Sequence, residues 1–363
     1  MTRVVILGGG FAGIAAAKAL LKNTKRSEVQ VILIDKNSYH LFTPSLYELA
    51  TAEEITKNVC IPLKEILPGI SMIKDEVLRI NENNVQLKGQ TIEFDYLIIA
   101  LGSESAYYDI PGLKEFSLPF KTLEDSVRIK EALRKGSKIV IGGGGFSGTE
   151  LASEIVKHIK GVELTIISGS ACLLKDLDQR ISDKAASRLG SSVNVVCQEH
   201  IKKVDKNFVF ADSKKYSYDV LVWTGGVKAN SIPSDFEKDE RGDILVDENL
   251  RVKNEENIFA AGDIAVGYPY VAQVAEDEGK IAGENVANLI KNKPLKPYRY
   301  VHFGYVVPLG GHYAAAQLGS VVFMGFFGWI FEQIVLLRYL LSILPLTKAF
   351  KRWNKFEEYL MKS

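Results

Sequence analysis

The chain has 363 residues and a formal net charge of +1, with 47% hydrophobic and 25% charged residues. This length suits two or three globular domains, and the near-neutral charge gives no reason to expect nucleic acid as a partner. Three cysteines, Cys60, Cys172 and Cys197, form no C-x-x-C pair, which argues against a zinc site, a dithiol redox motif and a disulfide framework. We therefore expect no metal site and a reducing, intracellular setting. Because a strand begins at Arg3, no cleaved signal peptide is expected.

The first motif is a glycine-rich turn between a strand and a helix. The apolar run Val4–Leu7 is followed by Gly8-x-Gly10-x-x-Gly13 and the small-residue helix Ile14–Leu21. In such a turn the first glycine allows the chain to reverse, the second lets the backbone approach a pyrophosphate, and the third lets the helix pack closely on the sheet. The helix N-terminus then presents N–H groups and a positive dipole end to the phosphates. This segment therefore predicts a dinucleotide site.

An acidic residue follows at the position that contacts ribose in such sites. The second predicted strand, Val29–Ile34, ends in Asp35, about 20 residues after the glycines. A carboxylate there accepts hydrogen bonds from a ribose 2′-OH. We therefore interpret Asp35 as a ribose ligand, with a surface turn aspartate as the alternative.

A second turn of the same kind lies near the middle of the chain. The strand Lys138–Ile141 leads into Gly143-x-Gly145-x-x-Gly148 and then the helix Thr149–Ile155. The next strand, Val162–Ile167, ends in Ser168 rather than in an acid. Two such turns predict that one chain holds two dinucleotides.

The order of these units predicts the fold. Further strands are expected at Tyr96–Ala100, Val220–Trp223 and Ile258–Ala261, and a long helix at Val271–Ile290. Alternating strands and helices predict an α/β fold with parallel, doubly wound sheets and two Rossmann-like domains. Because the chain returns to a strand after the second unit, we expect the second domain to be inserted in the first. The expected limits are 1–107 and 240–300 for the first domain, 108–239 for the inserted domain and 301–363 for a carboxyl-terminal region.

The carboxyl-terminal region has an unusual apolar stretch. From Tyr300 to Phe331 there is no Asp, Glu, Lys or Arg. A membrane-spanning helix of this length is disfavoured because Pro308 and several glycines interrupt it. We expect instead a β-hairpin with strands Tyr313–Gln317 and Ser320–Phe323 and its turn at Leu318-Gly319.

Two helices are expected after the hairpin. The first runs from Phe326 to Leu344 and stops at Pro345. The last interleaves basic with aromatic residues, a pattern that suits an anionic membrane interface. Its basic members are Lys348, Lys351, Arg352 and Lys355. The alternative is a helix that packs only on the protein itself or on a second copy.

At this point the chain resembles the two-dinucleotide flavoprotein superfamily, in which an FAD domain carries an inserted NAD(P) domain. Within it the chain is most similar to the type II NADH dehydrogenases, and sulfide:quinone oxidoreductases are close relatives. The resemblance rests on the segments 37–50 (N-x-x-H-x-F-x-P-x-L-Y-x-x-A), 121–125 (K-T-L-E-D), 222–227 (V-W-T-G-G-V), 260–263 (A-A-G-D) and 272–275 (A-Q-V-A). No C-x-x-x-x-C pair of the disulfide-reducing members is present, and we interpret the three cysteines as packing residues.

The resemblance implies which residues bind the cofactors. FAD is implied at Gly8, Gly10, Gly13, Asp35, Lys36, His40, Pro44, Val77, Ala100, Gly102, Lys121, Gly262, Asp263, Ala272 and Gln273. NADH or NADPH, as electron donor, is implied at Gly143, Gly145, Gly148, Glu150, Ser168 and Gly226. Glu150 matches a family glutamate near the nicotinamide, with a helix-dipole carboxylate as the alternative. The helix that begins near Gln273 can stabilise negative charge at the pyrimidine end of the flavin. Glu150 and Gln273 are therefore the predicted catalytic residues.

Two further points stay open at the sequence level. Ser168 stands where NAD-binding members place a glutamate, so NADPH is also a candidate donor. His40 and His302 are candidates for a proton-carrying role, with a structural role as the alternative.

The resemblance implies an enzyme that passes two electrons from NAD(P)H through FAD to a membrane quinone. It also implies a peripheral position on the cytoplasmic side of the cell membrane, held by the carboxyl-terminal helices, and a possible homodimer. The alternatives are a sulfide:quinone-type oxidoreductase and a flavin- and NAD(P)H-dependent redox sensor of the apoptosis-inducing-factor type.

Overall fold

The computed structural model describes residues 1–51, 56–267, 269–301 and 303–362. Its helices are α1 (Phe11–Asn23), α2 (Leu46–Leu49), α3 (Thr56–Val59), α4 (Leu63–Ile66), α5 (Leu113–Phe116), α6 (Leu123–Ala132), α7 (Phe146–His158), α8 (Gln179–Leu189), α9 (Ala272–Ile290), α10 (Phe326–Ile343) and α11 (Leu346–Lys362).

The strands of the first third of the chain are β1 (Thr2–Leu7), β2 (Val29–Asp35), β3 (Tyr39–Leu41), β4 (Cys60–Pro62), β5 (Ser71–Lys74), β6 (Val77–Ile80), β7 (Asn84–Leu87), β8 (Thr91–Glu93), β9 (Tyr96–Ile99), β10 (Ser103–Ser105) and β11 (Leu118–Pro119). Those that follow are β12 (Lys138–Gly142), β13 (Glu163–Ser168), β14 (Val193–Cys197), β15 (Ile201–Val204), β16 (Phe208–Ala211), β17 (Lys215–Ser217), β18 (Val220–Trp223), β19 (Val227–Ala229), β20 (Ile258–Ala260), β21 (Tyr305–Pro308), β22 (Ala314–Leu318) and β23 (Val321–Gly325).

The chain forms two compact units, each discontinuous in sequence. Unit 1 comprises residues 1–41, 60–104 and 227–301, and unit 2 comprises residues 42–59, 105–226 and 302–363. The domain limits expected from the sequence stay a prediction.

Unit 1 is built on a parallel sheet with strand order β20-β9-β1-β2-β5. Most residues of β1, β2, β9 and β20 are apolar and buried, because both faces of a parallel sheet are covered. β1 lies between β2 and β9, so the chain leaves the central strand in opposite directions. Such a reversal places a crevice at the carboxyl ends of the strands, where doubly wound folds bind ligands. The first glycine turn begins at this end of β1.

Two helices of unit 1 pack unusually close to each other. An added Cβ at Gly279 of α9 would lie 2.0 Å from the carbonyl oxygen of Ala12 in α1. At Gly283 the corresponding distance, to the carbonyl oxygen of Ala16, would be 2.3 Å. Only glycine allows this backbone contact, so the two helices are held together along a seam without side chains.

Unit 2 repeats the plan with the order β11-β18-β12-β13-β14, again all parallel. β12 takes the central place that β1 has in unit 1, and the second glycine turn follows it. The α/β class, the parallel sheets and the paired turn–helix units expected from the sequence are confirmed. Each unit also carries an antiparallel three-stranded sheet, β6-β7-β8 and β15-β16-β17, which the sequence pattern did not predict.

The carboxyl-terminal part of unit 2 contains the expected hairpin, but with a different turn. Leu318 pairs with Val321, so the two-residue turn is Gly319-Ser320 instead of Leu318-Gly319. Gly319 has a φ of 57°, a left-handed conformation that favours glycine and sets this register. A third strand, β21, pairs with β22 and was not expected.

The helix predicted after the hairpin is present. α10 spans Phe326–Ile343 and ends before Pro345. Among the described residues it is the one helix long and apolar enough to cross a membrane, and a third of it is buried against the protein.

Candidate dinucleotide sites

The first glycine turn has the geometry of a phosphate cradle. Gly8 has a φ of 103°, and an added Cβ there would lie 2.2 Å from the carbonyl oxygen of Ala100. An added Cβ at Gly13 would lie 1.9 Å from the carbonyl oxygen of Gly8. At Gly10 a Cβ would meet no described atom within 4 Å, and no side chain caps the N-terminus of α1. The uncapped N–H groups of the helix therefore face open space, which suits a pyrophosphate.

Asp35 is already organised as a hydrogen-bond acceptor beside this turn. Its Oδ2 accepts the Gly9 N–H at 2.6 Å, and its Oδ1 accepts the Asn37 N–H at 2.6 Å. Burial raises the pKa of this carboxyl, and the two N–H donors oppose the rise. The carboxylate thus ties the turn to the end of β2 and keeps lone pairs for ribose hydroxyls.

His40 has a structural position in unit 1. Its ring is buried edge-on to Phe11, and Nδ1 lies 3.1 Å from the carbonyl oxygen of Gly9. Burial lowers the pKa of this imidazole to about 4. A neutral ring whose Nδ1–H donates to Gly9 supports the structural alternative over a proton carrier. His302, the other histidine considered, lies outside the described residues.

The segment 260–263, which follows the return of the chain to unit 1, is hydrogen-bonded to its neighbours in this unit. The Ser103 hydroxyl donates to Oδ2 of Asp263 at 2.6 Å. Gly262, with a φ of 75°, donates its N–H at 2.6 Å to Oε2 of Glu278, a buried residue of α9. Burial, with Asp263 and Asp277 nearby, raises the pKa of Glu278 to about 8. Glu278 was missed in the sequence because it lies inside a helix whose pattern reads simply as amphipathic.

The first turn of α9 carries two further predicted residues, Ala272 and Gln273. No side chain caps this helix N-terminus, whose N-cap residue is Val271. Its N–H groups are free of intrahelical partners, as at the start of α1. The helix can therefore direct its positive dipole end at an anionic ligand.

The other residues predicted for the flavin lie in both units. Lys36 follows β2, Val77 begins β6, and Ala100 and Gly102 follow β9, all in unit 1. Pro44 and Lys121 belong to unit 2. The segment 121–125 has a clear local role, because Thr122 and Asp125 form a capping box at the start of α6, with distances of 3.1 and 2.9 Å.

The second glycine turn repeats the first in detail. Gly143 has a φ of 125°, and an added Cβ at Gly148 would lie 2.0 Å from the carbonyl oxygen of Gly143. At Gly145 a Cβ would again meet no described atom within 4 Å, and no side chain caps α7. Thr224 holds the turn through its hydroxyl, 3.2 Å from the carbonyl oxygens of Gly142 and Gly143. Unit 2 therefore has its own open helix N-terminus.

Ser168 occupies the place that Asp35 has in unit 1. Asp35 is the last residue of β2 and lies against Gly9, whereas Ser168 is the last residue of β13 and lies against Gly144. An added Cβ at Gly144 would lie 2.8 Å from the Ser168 side chain. The Ser168 hydroxyl accepts the Ser170 N–H at 3.3 Å and carries no charge. The second site therefore lacks the acid that repels a 2′-phosphate.

Glu150 and Gly226 complete the residues predicted for the second site. Glu150 lies in the first turn and a half of α7, partly exposed. Burial and the neighbouring Glu48 raise its pKa to about 8. Gly226 has a φ of 152°, and an added Cβ there would meet the Tyr108 hydroxyl at 2.0 Å.

The fold and the two turns together define the class of two-dinucleotide-binding flavoproteins. The model of the pyridine nucleotide-disulphide oxidoreductase family matches residues 2–279, and the chain belongs to this family. FAD and NAD(P)H are the cofactors of this class, and the open cradles at Gly10 and Gly145 fit two pyrophosphates.

Three proteins illustrate what the chain is similar to in sequence and in structure. The chain is 30% identical to the alternative NAD(P)H-ubiquinone oxidoreductase C1 of Arabidopsis thaliana, over 86% of this chain and 72% of that protein. It is 27% identical to the type II NADH:quinone oxidoreductase NdhA of Mycobacterium tuberculosis, over 97% of this chain and 86% of that protein. The structure of NDH2 from Plasmodium falciparum in complex with NADH has a TM-score of 0.84 at 19% identity, covering 98% of each chain.

Proposed function

We propose that this protein is an NAD(P)H:quinone oxidoreductase of the type II NADH dehydrogenase kind, with FAD at the first glycine turn and NAD(P)H at the second. The observation that carries the proposal is the repeated cradle, in which Gly10 and Gly145 leave open space before an uncapped helix. Relatives named as NAD(P)H-ubiquinone and NADH:quinone oxidoreductases support the choice of quinone as acceptor.

In this reaction the residues of the chain bind the two cofactors and orient them. When bound, FAD supplies the two-electron chemistry between NAD(P)H and the quinone. Asp35 holds the ribose, and the N-termini of α1 and α7 hold the pyrophosphates. The N-terminus of α9, with Ala272 and Gln273, stabilises negative charge at the flavin. Glu150 orients the nicotinamide. Because Glu150 and Gln273 act on the reacting groups, they are the proposed catalytic residues.

The function is tested by the choice of reductant. The purified flavoprotein is mixed anaerobically with NADH, NADPH or sulfide, and the visible flavin absorbance is followed. We expect rapid bleaching by a nicotinamide, and rapid recovery when a quinone is added. Bleaching by sulfide alone would establish the sulfide:quinone alternative instead. Slow recovery with quinone, and a long-lived complex with the oxidised nicotinamide, would establish the redox-sensor alternative.

Ser168→Asp is expected to shift the donor preference toward NADH. The new carboxylate can accept the Gly144 N–H, as Asp35 accepts that of Gly9, and it repels the 2′-phosphate of NADPH. We expect kcat/KM for NADPH to fall about tenfold relative to NADH, in line with a charge pair worth about 1.4 kcal/mol. Ser187→Asp, at an exposed position of α8 in the same unit, is the matched control. An unchanged NADPH/NADH ratio in Ser168→Asp would remove Ser168 from the donor site.

We further propose that the carboxyl-terminal helices hold the protein on the cytoplasmic side of the cell membrane as a peripheral protein. α10 leaves large apolar side chains exposed, among them Phe326, Phe327 and Ile334. α11 exposes Lys348 and Lys351 beside the exposed ring of Phe350. Apolar and basic side chains together suit an anionic membrane surface. A homodimer formed through these helices stays a prediction from the resemblance.

Ending the chain at Pro345 is expected to weaken binding to anionic vesicles at least about tenfold, since each basic residue near such a surface contributes about 1 kcal/mol. Co-sedimentation with vesicles measures the effect, and neutral vesicles serve as the control. The flavin content should not change. Equal binding of the full-length and shortened chains to anionic vesicles would overturn the assignment of α11 to the membrane.

A further inference from the structure

The second dinucleotide site has a polar rim, residues 168–170, which begins at the last residue of β13. Ser168 is buried, and its hydroxyl accepts the Ser170 N–H at 3.3 Å. The chain beyond β14 is bonded to this rim. Gln198 donates its N–H to the Ser170 carbonyl at 2.9 Å, and Glu199 donates its N–H to the Ser168 carbonyl at 3.0 Å. These bonds hold the first residues after β14 against the rim, within unit 2.

The ring of His200 lies on this rim. An added Cβ at Gly169 would lie 2.7 Å from Cδ2 of His200 and 2.8 Å from its Nε2. A side chain at residue 169 would therefore displace the ring, and glycine leaves room for it. The His200 side chain is 63% exposed, and its Nε2 has no hydrogen-bond partner among the described residues. This nitrogen is available to a ligand that reaches the residue after Ser168.

Asp212 holds the other side of the ring. Its Oδ2 accepts the His200 backbone N–H at 2.7 Å and lies 3.0 Å from Nδ1. Because a carboxylate only accepts hydrogen bonds, Nδ1 carries the hydrogen. When the ring is protonated, Nε2 carries a hydrogen as well and donates it. The carboxylate thus fixes the orientation of the ring, and the protonated ring directs an N–H at the rim.

The acidic groups beside His200 are balanced by lysines. The pKa of Asp212 is lowered to about 2, first by the His200 N–H and then by Lys202, so this carboxyl is ionised at neutral pH. Nζ of Lys202 lies 3.1 Å from Oδ1 of Asp212. The Glu199 carboxylate accepts a backbone N–H at 3.0 Å and has Lys214 nearby. Two acids and two lysines cancel, so the protonated ring gives this cluster a net positive charge.

The ring lies where the phosphate that distinguishes NADPH from NADH would be bound. In a site of this kind the residue at the end of the second strand contacts the ribose 2′-OH, and a basic side chain nearby accommodates a 2′-phosphate. Ser168 has the first position, and His200 Nε2, beside Gly169, has the second. The Cys197 thiol at the end of β14 adds no charge, because burial raises its pKa. An exposed ion pair contributes little to stability, so stability alone does not account for the arrangement.

We infer that His200 binds the 2′-phosphate of NADPH through Nε2 and is a determinant of the donor preference of the second site. The inference rests on the proposed function, because it assigns a ligand group to the site that we propose for NAD(P)H. Ser168 permits the phosphate, since it carries no charge, whereas His200 attracts it. Because the contact requires the protonated ring, the preference for the phosphate declines as the pH rises.

The contact is tested without turnover by two nucleotides that differ only in the 2′-phosphate. Calorimetric titration of the flavin-loaded protein with adenosine 2′,5′-bisphosphate and with 5′-AMP gives the two Kd values at neutral pH. We expect the bisphosphate to bind about tenfold more tightly to the wild type, as for one charge-assisted hydrogen bond, and His200→Gln to abolish this difference. The binding of 5′-AMP should be equal in both proteins. His312→Gln, at an exposed position in the carboxyl-terminal part of unit 2, is the matched control.

A second variant and a pH series separate binding from a structural role. His200→Arg keeps a positive charge that does not titrate, so it should retain the preference for the bisphosphate at neutral and at alkaline pH. The wild-type preference should decline between about pH 7 and about pH 8.5, a range in which the phosphate stays largely a dianion. In steady-state assays of His200→Gln, kcat/KM for NADPH should fall about tenfold relative to that for NADH.

Three results would overturn the inference. These are an unchanged preference for the bisphosphate in His200→Gln, equal binding of both nucleotides to the wild type, and an equal loss of affinity for both nucleotides in the variant. Failure of both nucleotides to bind the wild type would contradict the proposed donor site itself, and the inference would fall with it.

Discussion

Asp35→Ala is expected to release the flavin. The substitution removes the acceptor for the Gly9 and Asn37 N–H groups, each at 2.6 Å, together with the carboxylate that we propose binds ribose. A hydrogen bond to a charged group contributes about 1.5–3 kcal/mol, so a loss of about 3 kcal/mol weakens flavin binding roughly 100-fold. Flavin content after gel filtration, and the Kd from fluorescence titration of the stripped protein, measure the effect.

The control for this prediction is another aspartate with similar backbone contacts. Asp75 accepts the Glu76 N–H at 2.7 Å and the Gly89 N–H at 3.1 Å, but it does so in an exposed loop. Asp75→Ala should keep its full flavin content. Full occupancy in purified Asp35→Ala would show that the first glycine turn is not the flavin site.

Glu278→Gln is expected to change how stability depends on pH. The pKa of Glu278 is raised from 4.5 to about 8 in the folded protein, chiefly by burial. Between these values the folded state keeps a proton that the unfolded state has lost. Stability therefore falls as the pH rises through this window, by about 1.4 kcal/mol per pH unit for one group. Glutamine keeps an oxygen to accept the Gly262 N–H and has no proton to lose.

Denaturant unfolding at several pH values between 5 and 9 measures this effect. The slope of unfolding free energy against pH should become less negative by about one proton in the variant. Glu240→Gln, at an exposed position of the same unit, should leave the slope unchanged. Parallel slopes for wild type and Glu278→Gln would mean that this carboxyl is already ionised at neutral pH.

The glycine turns and the strands around them could be predicted because local geometry dictates those residues. Gly8, Gly13 and Gly148 each lie where a Cβ would clash with a carbonyl oxygen. Glycine is therefore required at these positions, and its spacing in the sequence predicts the turn. Ser168 could be placed for the same reason, since the last residue of the second strand always faces the turn. The Gly319-Ser320 turn was missed by one residue because either register keeps the same alternation of side chains.

Other features depended on contacts that no local pattern reveals. Glu48 lies in a four-residue helix and reads as an ordinary polar residue until α7 packs over it. Glu278 likewise reads as part of an amphipathic helix, although its carboxyl reaches the Gly262 backbone. The segment 121–125 could be recognised from the resemblance, but its capping role emerges only in the fold.

The glycine seam between α1 and α9 joins these two helices of the proposed flavin site rigidly to each other. α1 begins at the first glycine turn, and α9 begins at Ala272 and Gln273, so the seam fixes the separation of the two helix N-termini that we propose bind opposite ends of FAD. Substitution at Gly279 or Gly283 would push the helices apart and misplace both ends together. Substitutions of side chains at the N-termini of the two helices can therefore change the surroundings of the flavin gradually. The distance between the helices cannot change gradually, because even one added methyl group at the seam would clash with the backbone.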